Sequence, residues 1–400
     1  MPETTELLVG SHPWALTVPA DRVVHVRRGT YAAPTASAAD LVRDALEQPF
    51  KFEPLRRALT PDDHVAIVID PALPHLAEML AAVLRHIGTA GVPPSAVTVV
   101  SPPGAPQTWL DELPEEFEDV TAETHDPADV HKLMYVATTK GGRRVYLNRR
   151  VGEADFIIVL AGRRYDPHAG YAGAETALFP ALSNEETRAA FAGQFSSAAP
   201  DGARETEAAE VAWLLGAPFF VQVIEGANGT VQDVVAGLFE SGAESIRRQD
   251  ARWRGTIEAE VDTVIASISG APEAVTFLDL AQAAATAARA VKKGGRIALL
   301  TTAAPDLGPG AELLRQLDGP AGAKKVLAAE KPSDWAAASF WVYAARSASL
   351  FLASEYPDDL AEELFCTPIH KPSEAQRLID TGSGTVLLIP DAHRAMVTVG

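Results

Sequence analysis

The chain has a single cysteine, Cys366, so no intrachain disulfide can form and nothing supports an exported, disulfide-stapled fold. Basic residues are also scarce. Lys and Arg number 34 against 53 Asp and Glu, a net charge of -19, so neither nucleic acid nor an anionic membrane surface is an expected partner. No apolar run approaches the roughly 20 residues that cross a bilayer. The start, Met1-Pro-Glu-Thr-Thr-Glu, has no basic n-region and no apolar h-region, so no signal peptide is expected and the cytoplasm is the default location. What is present is a 47% hydrophobic composition over 400 residues, enough for two domains of ordinary size.

Strand and helix patterns alternate along the chain. Residues 1–35 read as an irregular lead-in with one short strand at Val23 to Val26. Ser37 is placed to cap a helix from Ala38 to Gln48. The run Val65 to Asp70, the amphipathic stretch Leu73 to Ile87 and the run Val97 to Ser101 then form a βαβ unit. Leu133 to Ala137 and Arg144 to Leu147 flank Thr139-Lys-Gly-Gly142, a hairpin signal. A second alternation starts at Val261 to Ser267 and an alanine-rich helix from Leu278 to Val291. Lys292-Lys293-Gly294-Gly295 reads as the basic, glycine-capped end of that helix. The expected architecture is α/β, with two domains, 1–260 and 261–400, each a mostly parallel sheet flanked by helices. A pocket between them is the usual consequence.

The most informative stretch runs from Val136 to Ala192. Its centre, Phe156-Ile-Ile-Val-Leu160 closed by Ala161-Gly162, is a continuous apolar run suited to a strand buried on both faces. The next loop, Asp166-Pro-His-Ala-Gly-Tyr-Ala-Gly173, leads to Leu178-Phe179-Pro180. Loops at the carboxyl ends of parallel strands are where α/β proteins place ligands. Asp166, His168 and the backbone at Gly170 and Gly173 are therefore candidate site groups.

These segments resemble the nickel-dependent lactate racemase family. Arg144-Val-Tyr-Leu-Asn148, Val151-Gly-Glu-Ala-Asp155, Ala169-Gly-Tyr-Ala-Gly173 and Leu178-Phe-Pro180 follow the family's motifs in order and in closely similar spacing. Val65 to Asp70, His125-Asp126-Pro127, Lys292 to Ile297 and Thr385 to Asp391 also fit. The resemblance implies a lactate racemase-like two-domain fold. It also implies racemisation of 2-hydroxy acids on a nickel-pincer nucleotide, a pyridinium cofactor held through a thioamide to a lysine. One histidine binds the nickel, and two others exchange the substrate's hydroxyl proton during hydride transfer.

Placed on the matching motifs, this sequence departs at the positions that carry that chemistry. The attachment lysine falls on Thr176. One proton-transfer histidine falls on Asp166, with His168 two residues later. The segment that holds the other becomes Pro103-Gly104-Ala105-Pro106, and the late Asn-His becomes Phe191-Ala192. The phosphate-contacting loop keeps Asp70 but has Leu73 in place of arginine. The substrate-contacting Gln and Lys fall near Asp279 and Gln282. The expectation is a superfamily member that has lost pincer-dependent racemisation. Such a protein binds a small organic acid or a nucleotide, or serves as a partner subunit in a homo- or hetero-oligomer. The alternative is an active racemase, epimerase or related isomerase with a rebuilt pocket, and ordinary use of the nickel-pincer nucleotide stays open beside it.

Asp166 and His168 are the catalytic candidates. Asp70, Gly170, Gly173 and Thr176 hold the family's cofactor positions. His168, with Asp166 and Glu175, is the one metal-ligand candidate. Gly170 to Gly173 has an even balance between an anion cradle of backbone N–H groups and plain close packing. His125-Asp126 with His131 reads chiefly as a turn in which Asp126-Pro127 caps Ala128 to Leu133. The aromatic set Trp335, Phe340, Trp341 and Tyr343 reads as core.

Overall fold

Continuous apolar runs become the middles of two parallel sheets, because a strand covered on both faces has no side to leave polar. The computed structural model describes residues 2–27, 34–105, 107–166, 170–192 and 206–400. Its first ten strands are β1 (Glu3–Val9), β2 (His12–Val18), β3 (Val23–Val24), β4 (Val65–Ile69), β5 (Val97–Ser101), β6 (Thr121–Thr124), β7 (Leu133–Thr138), β8 (Arg144–Asn148), β9 (Phe156–Gly162) and β10 (Arg164–Asp166). Then come β11 (Gly170–Ala172), β12 (Phe219–Glu225), β13 (Val231–Gly237), β14 (Arg254–Ile257), β15 (Val261–Ser267), β16 (Val291–Leu300), β17 (Ala348–Ala353), β18 (Cys366–Pro368), β19 (Val386–Ile389) and β20 (Met396–Val399).

The first large sheet has the order β13-β12-β9-β4-β5-β6 and is parallel except for β13. β4 and β9 lie side by side in its middle, as their sequences require. Val65, Ile67 and Ile69 enter the core on one face of the sheet, while Ala66 and Val68 enter the core on the other. The second sheet has the order β18-β17-β16-β15-β19-β3 and is parallel throughout. Among the described residues no helix is long and apolar enough to cross a membrane.

The helix Phe277–Ala290 is buried almost all round, and its run of alanines lets the helix Trp335–Ser347 pack closely on it. There Trp341 meets Phe277 in a tilted ring contact with centroids 5.3 Å apart, and its indole N–H donates to the Leu364 carbonyl at 2.8 Å. Trp341 and Phe340 are core residues. Trp341→Ala is expected to cost about 3–5 kcal/mol, the usual range for emptying a large aromatic site. In urea unfolding the midpoint should fall while the slope stays unchanged. A loss under about 1 kcal/mol would mean the site collapses freely.

Several expectations need correction. The lead-in is not irregular. β1 and β2 form an antiparallel hairpin that turns at Gly10, where φ is +59°. Leu7, Val9, Leu16 and Val18 pack with Ile265, Ala298, Leu300 and Val386 of the second sheet, and β3 pairs with β19. A division at residue 260 therefore does not describe residues 3–24, which complete the C-terminal unit. Nor do Gly294 and Gly295 end the alanine-rich helix. That helix stops at Ala290, and β16 begins at once. The pairing of β15 with β16 jumps from Val261–Val291 to Thr263–Arg296, so Lys292 to Gly295 bulge out, with Gly294 at φ +79°. Lys292 pairs with Asp262 at 2.9 Å, a cross-strand contact that no local reading reveals. Asp334 holds the N-cap position of the helix Trp335–Ser347, and its carboxylate accepts from Gly310 N–H of the neighbouring helix at 2.6 Å.

Candidate functional site

The carboxyl ends of the central strands bring five charged groups into one line. Asp70 follows β4, Arg164 follows β9, Glu225 ends β12, and Asp391 and Arg394 follow β19 of the second sheet. Asp70 accepts from Ala72 N–H at 3.0 Å, Gly162 N–H at 3.2 Å and Arg164 Nη1 at 2.5 Å. Arg164 Nε then donates to Glu225 Oε1 at 2.6 Å. The other oxygen of Glu225 accepts from Arg394 Nη2 at 2.8 Å and Nε at 3.2 Å. Arg394 Nη1 donates to His393 Nε2 at 2.6 Å. Asp391 accepts from the Ser269 N–H at 3.2 Å and the Ser269 hydroxyl at 2.5 Å, and that hydroxyl accepts from Asn228 N–H at 2.9 Å.

Burial alone would push the Glu225 carboxyl up, but the Arg164 and Arg394 guanidiniums outweigh it and hold it below its ordinary value. Burial pushes His393 well down, and Arg394 and Arg164 push it further, so the ring is neutral at pH 7. Its Nδ1 is buried without a hydrogen-bond partner, as is the Ser267 hydroxyl at the end of β15. Arg164 keeps an outer edge: its side chain is 30% exposed, and Nη2 makes only a 3.4 Å contact with the Ala72 carbonyl.

The loop that matches the family's cofactor segment is pinned from below. Arg163, 2% exposed, donates through Nη2 to the Glu175 carboxylate at 3.0 and 3.2 Å and to Gln222 Oε1, through Nη1 to the Ala172 carbonyl at 3.2 Å, and through Nε to Ser245 Oγ at 2.9 Å. Two glycines make room for this pair. A Cβ on Gly173 would lie 2.3 Å from the Arg163 guanidinium carbon, and one on Gly242 2.5 Å from Glu175 Oε1. Above the pair, Tyr165 and Tyr171 both donate to Asp250, at 2.9 and 2.8 Å. Burial first, then Asp250, raises both phenols, which keeps them protonated donors.

Most of the residues singled out from sequence have a place among the described ones. Thr176 is spent locally: its hydroxyl accepts from Gly173 N–H at 2.9 Å and donates to the Gly173 carbonyl at 3.0 Å, closing the first turn of the helix Ala174–Leu178. The Gly173 N–H is thereby used, and Gly170, with φ +82°, sits in the β10–β11 hairpin opposite Asp166, so Gly170 to Gly173 is strand and cap rather than an open cradle. Asp166 ends β10. His168 lies outside the described residues. Asp70 is in the charged line. Among the described residues, no three His, Cys, Asp or Glu side chains gather to hold a metal. Asp279 caps its helix with Thr276, and Gln282 Nε2 reaches the Tyr165 carbonyl at 3.3 Å.

His125 is a buried structural tie. Nε2 bonds the Ser183 carbonyl at 2.9 Å and Nδ1 faces Asn148 Nδ2 at 3.3 Å, an arrangement that fits the neutral Nε2–H tautomer. Asp126 accepts from Ala128 N–H at 3.0 Å, the turn expected from sequence. Sequence reading missed Arg163, Arg164, Glu225, His393 and Arg394. The signals available were two arginines directly after Gly162 and a glutamate closing an otherwise apolar strand.

Comparison with known proteins agrees with the geometry. Residues 9–197 match the lactate racemase N-terminal domain family. The lactate racemase apoprotein of Thermoanaerobacterium thermosaccharolyticum has the same fold, with a TM-score of 0.81 and 17% identity over 99% of this chain and 100% of that one. A protein from Thermotoga maritima comes next at TM-score 0.68 and 12% identity, over 92% and 100%. No curated protein matches the chain by sequence. Residues 9–197 thus match the lactate racemase N-terminal domain, and the fold along the chain's length is that of the lactate racemase apoprotein.

Proposed function

We propose that the protein has lost nickel-pincer-dependent racemisation of 2-hydroxy acids and uses its strand-end cleft to bind a small organic acid or nucleotide. The observation that carries this reading is Thr176. It stands where the family's lysine forms a thioamide, offers no amine, and commits its hydroxyl to its own helix cap. The rest of the set departs in the same direction. Leu73, at the position of a phosphate-binding arginine, is buried and apolar, and Gly104 stands where a proton-transfer histidine is needed. A leucine cannot supply a bidentate grip on phosphate. These residues do not fit the pincer nucleotide. What supports a small acid is the outer edge of Arg164, a fixed planar donor at the carboxyl ends of β4 and β9.

A second reading, an isomerase with a rebuilt pocket, draws on His393, a neutral imidazole placed by the second unit beside that line of charges.

The test is intact mass and metal content after co-expression with the pincer-nucleotide biosynthetic enzymes. The expected outcome is an unmodified mass and no stoichiometric nickel. A cofactor-sized mass increase with nickel near one per chain would overturn the proposal. Thr176→Lys alone should give no lactate racemase activity, because the proton-transfer histidines are absent at Asp166 and Gly104. Racemisation by that single variant would favour the isomerase reading.

A further inference from the structure

We propose that Glu225 is an interdomain latch: the cleft between the two sheets opens only when Arg394 leaves it. Glu225 is the one carboxylate in the line of charges that takes a guanidinium from each unit. Oε1 holds Arg164 of the first sheet at 2.6 Å, and Oε2 holds Arg394 of the second through two N–H groups at 2.8 and 3.2 Å. Glu225 is 4% exposed, so water does little to screen these bonds. Both oxygens are fully used. Removing the charge leaves Arg394 without a carboxylate at hydrogen-bond distance and facing Arg164, which keeps Asp70, and a guanidinium so stranded in a poorly hydrated site is driven toward water.

Among the described residues, other polar links between the units include two neutral ones. Asn228 N–H donates to the Ser269 hydroxyl, and Gln282 donates to the Tyr165 carbonyl. Each is of the kind that contributes about 0.5–1.5 kcal/mol.

The latch also sits at the connection it controls. The Trp253 indole N–H donates to the Glu225 carbonyl at 2.8 Å. The next residue begins β14, which pairs in parallel with β20. One strand end therefore holds the second unit through a side chain and steadies the start of the connecting strand through its backbone. When Arg394 departs, the loop after β19 and β14 are freed together, and the trypsin sites at Arg252 and Arg254 come within reach.

The experiment is limited trypsinolysis of the full chain with small-angle X-ray scattering, on wild type, Glu225→Gln and Arg394→Gln. Both variants should be cut after Arg252 or Arg254 at least about ten times faster than wild type and show a larger radius of gyration. The double variant should add little, since the two side chains form one contact. Glu244→Gln, which touches Arg247 and Arg248 on the same helix but not the latch, should behave as wild type. If a glutamine variant fails to fold, Arg394→Lys keeps the charge but loses the fork, and should open part-way. Unchanged cleavage and radius would overturn the proposal. So would cleavage spread evenly over both units, which reports general unfolding.

Discussion

Glu175→Ala is expected to lower the unfolding free energy by about 3–5 kcal/mol, because it removes one partner of a buried ion pair and leaves the other charged. Arg163 cannot escape to water. It is enclosed by Gln222, Ser245 and the Ala172 carbonyl, and no other carboxylate among the described residues pairs with it. Gly173→Ala should destabilise by the same route, since its methyl group would displace the guanidinium. The informative control is the double variant Arg163→Met with Glu175→Leu. Replacing both charges with apolar groups of similar volume should recover most of the loss. Urea unfolding monitored by circular dichroism reads all three. If Glu175→Ala costs less than about 1 kcal/mol, water reaches the pair and the loop is not pinned as described.

Acidification from pH 7 to pH 5 should destabilise the protein steeply. Burial lowers His86, His125 and His393 below the ordinary histidine value. In the unfolded chain each titrates near 6.5, so below that pH the unfolded state binds more protons than the folded one. Stability is then fully present above about pH 6.5 and falls as the pH drops toward the folded values, by up to about 1.4 kcal/mol per pH unit for each histidine. Carboxylates held low by arginines, such as Glu244 at about 2, act in the same direction but only below the ordinary carboxylate range, near pH 4.5. The window from pH 6.5 to 5 therefore isolates the imidazoles. Unfolding free energy measured across it should slope, and His125→Asn should flatten part of that slope. A flat profile would mean that all three rings accept a proton without leaving the fold.

The scaffold was legible where burial alone dictates residue type. Val65–Ile69 and Phe156–Gly162 are apolar because both faces of the sheet are covered, and that pattern needs no knowledge of partners. The β1–β2 hairpin escaped notice because only one face is buried and Pro13 interrupts it, so the strands resemble an irregular lead-in. Lys292 to Gly295 misled for the opposite reason: a good local signal for a helix end was overridden by pairing with β15 and by Asp262. In the site, Asp70 was legible as the polar residue closing an apolar strand. The charged groups that meet around it were not. Arg164 meets partners 94 and 61 residues away, and Arg394 meets Glu225 across 169. Contacts of that separation leave no periodicity.

The return of β1 to β3 to the far sheet has a cost in time. The ribosome makes residues 3–24 long before their partner β19, which ends at Ile389. At about 5–20 residues per second, Leu7, Val9, Leu16 and Val18 wait tens of seconds before the core that covers them exists. A small greasy hairpin thus stays uncovered on the nascent chain until β19 has been made, and the C-terminal unit can close only after that strand emerges.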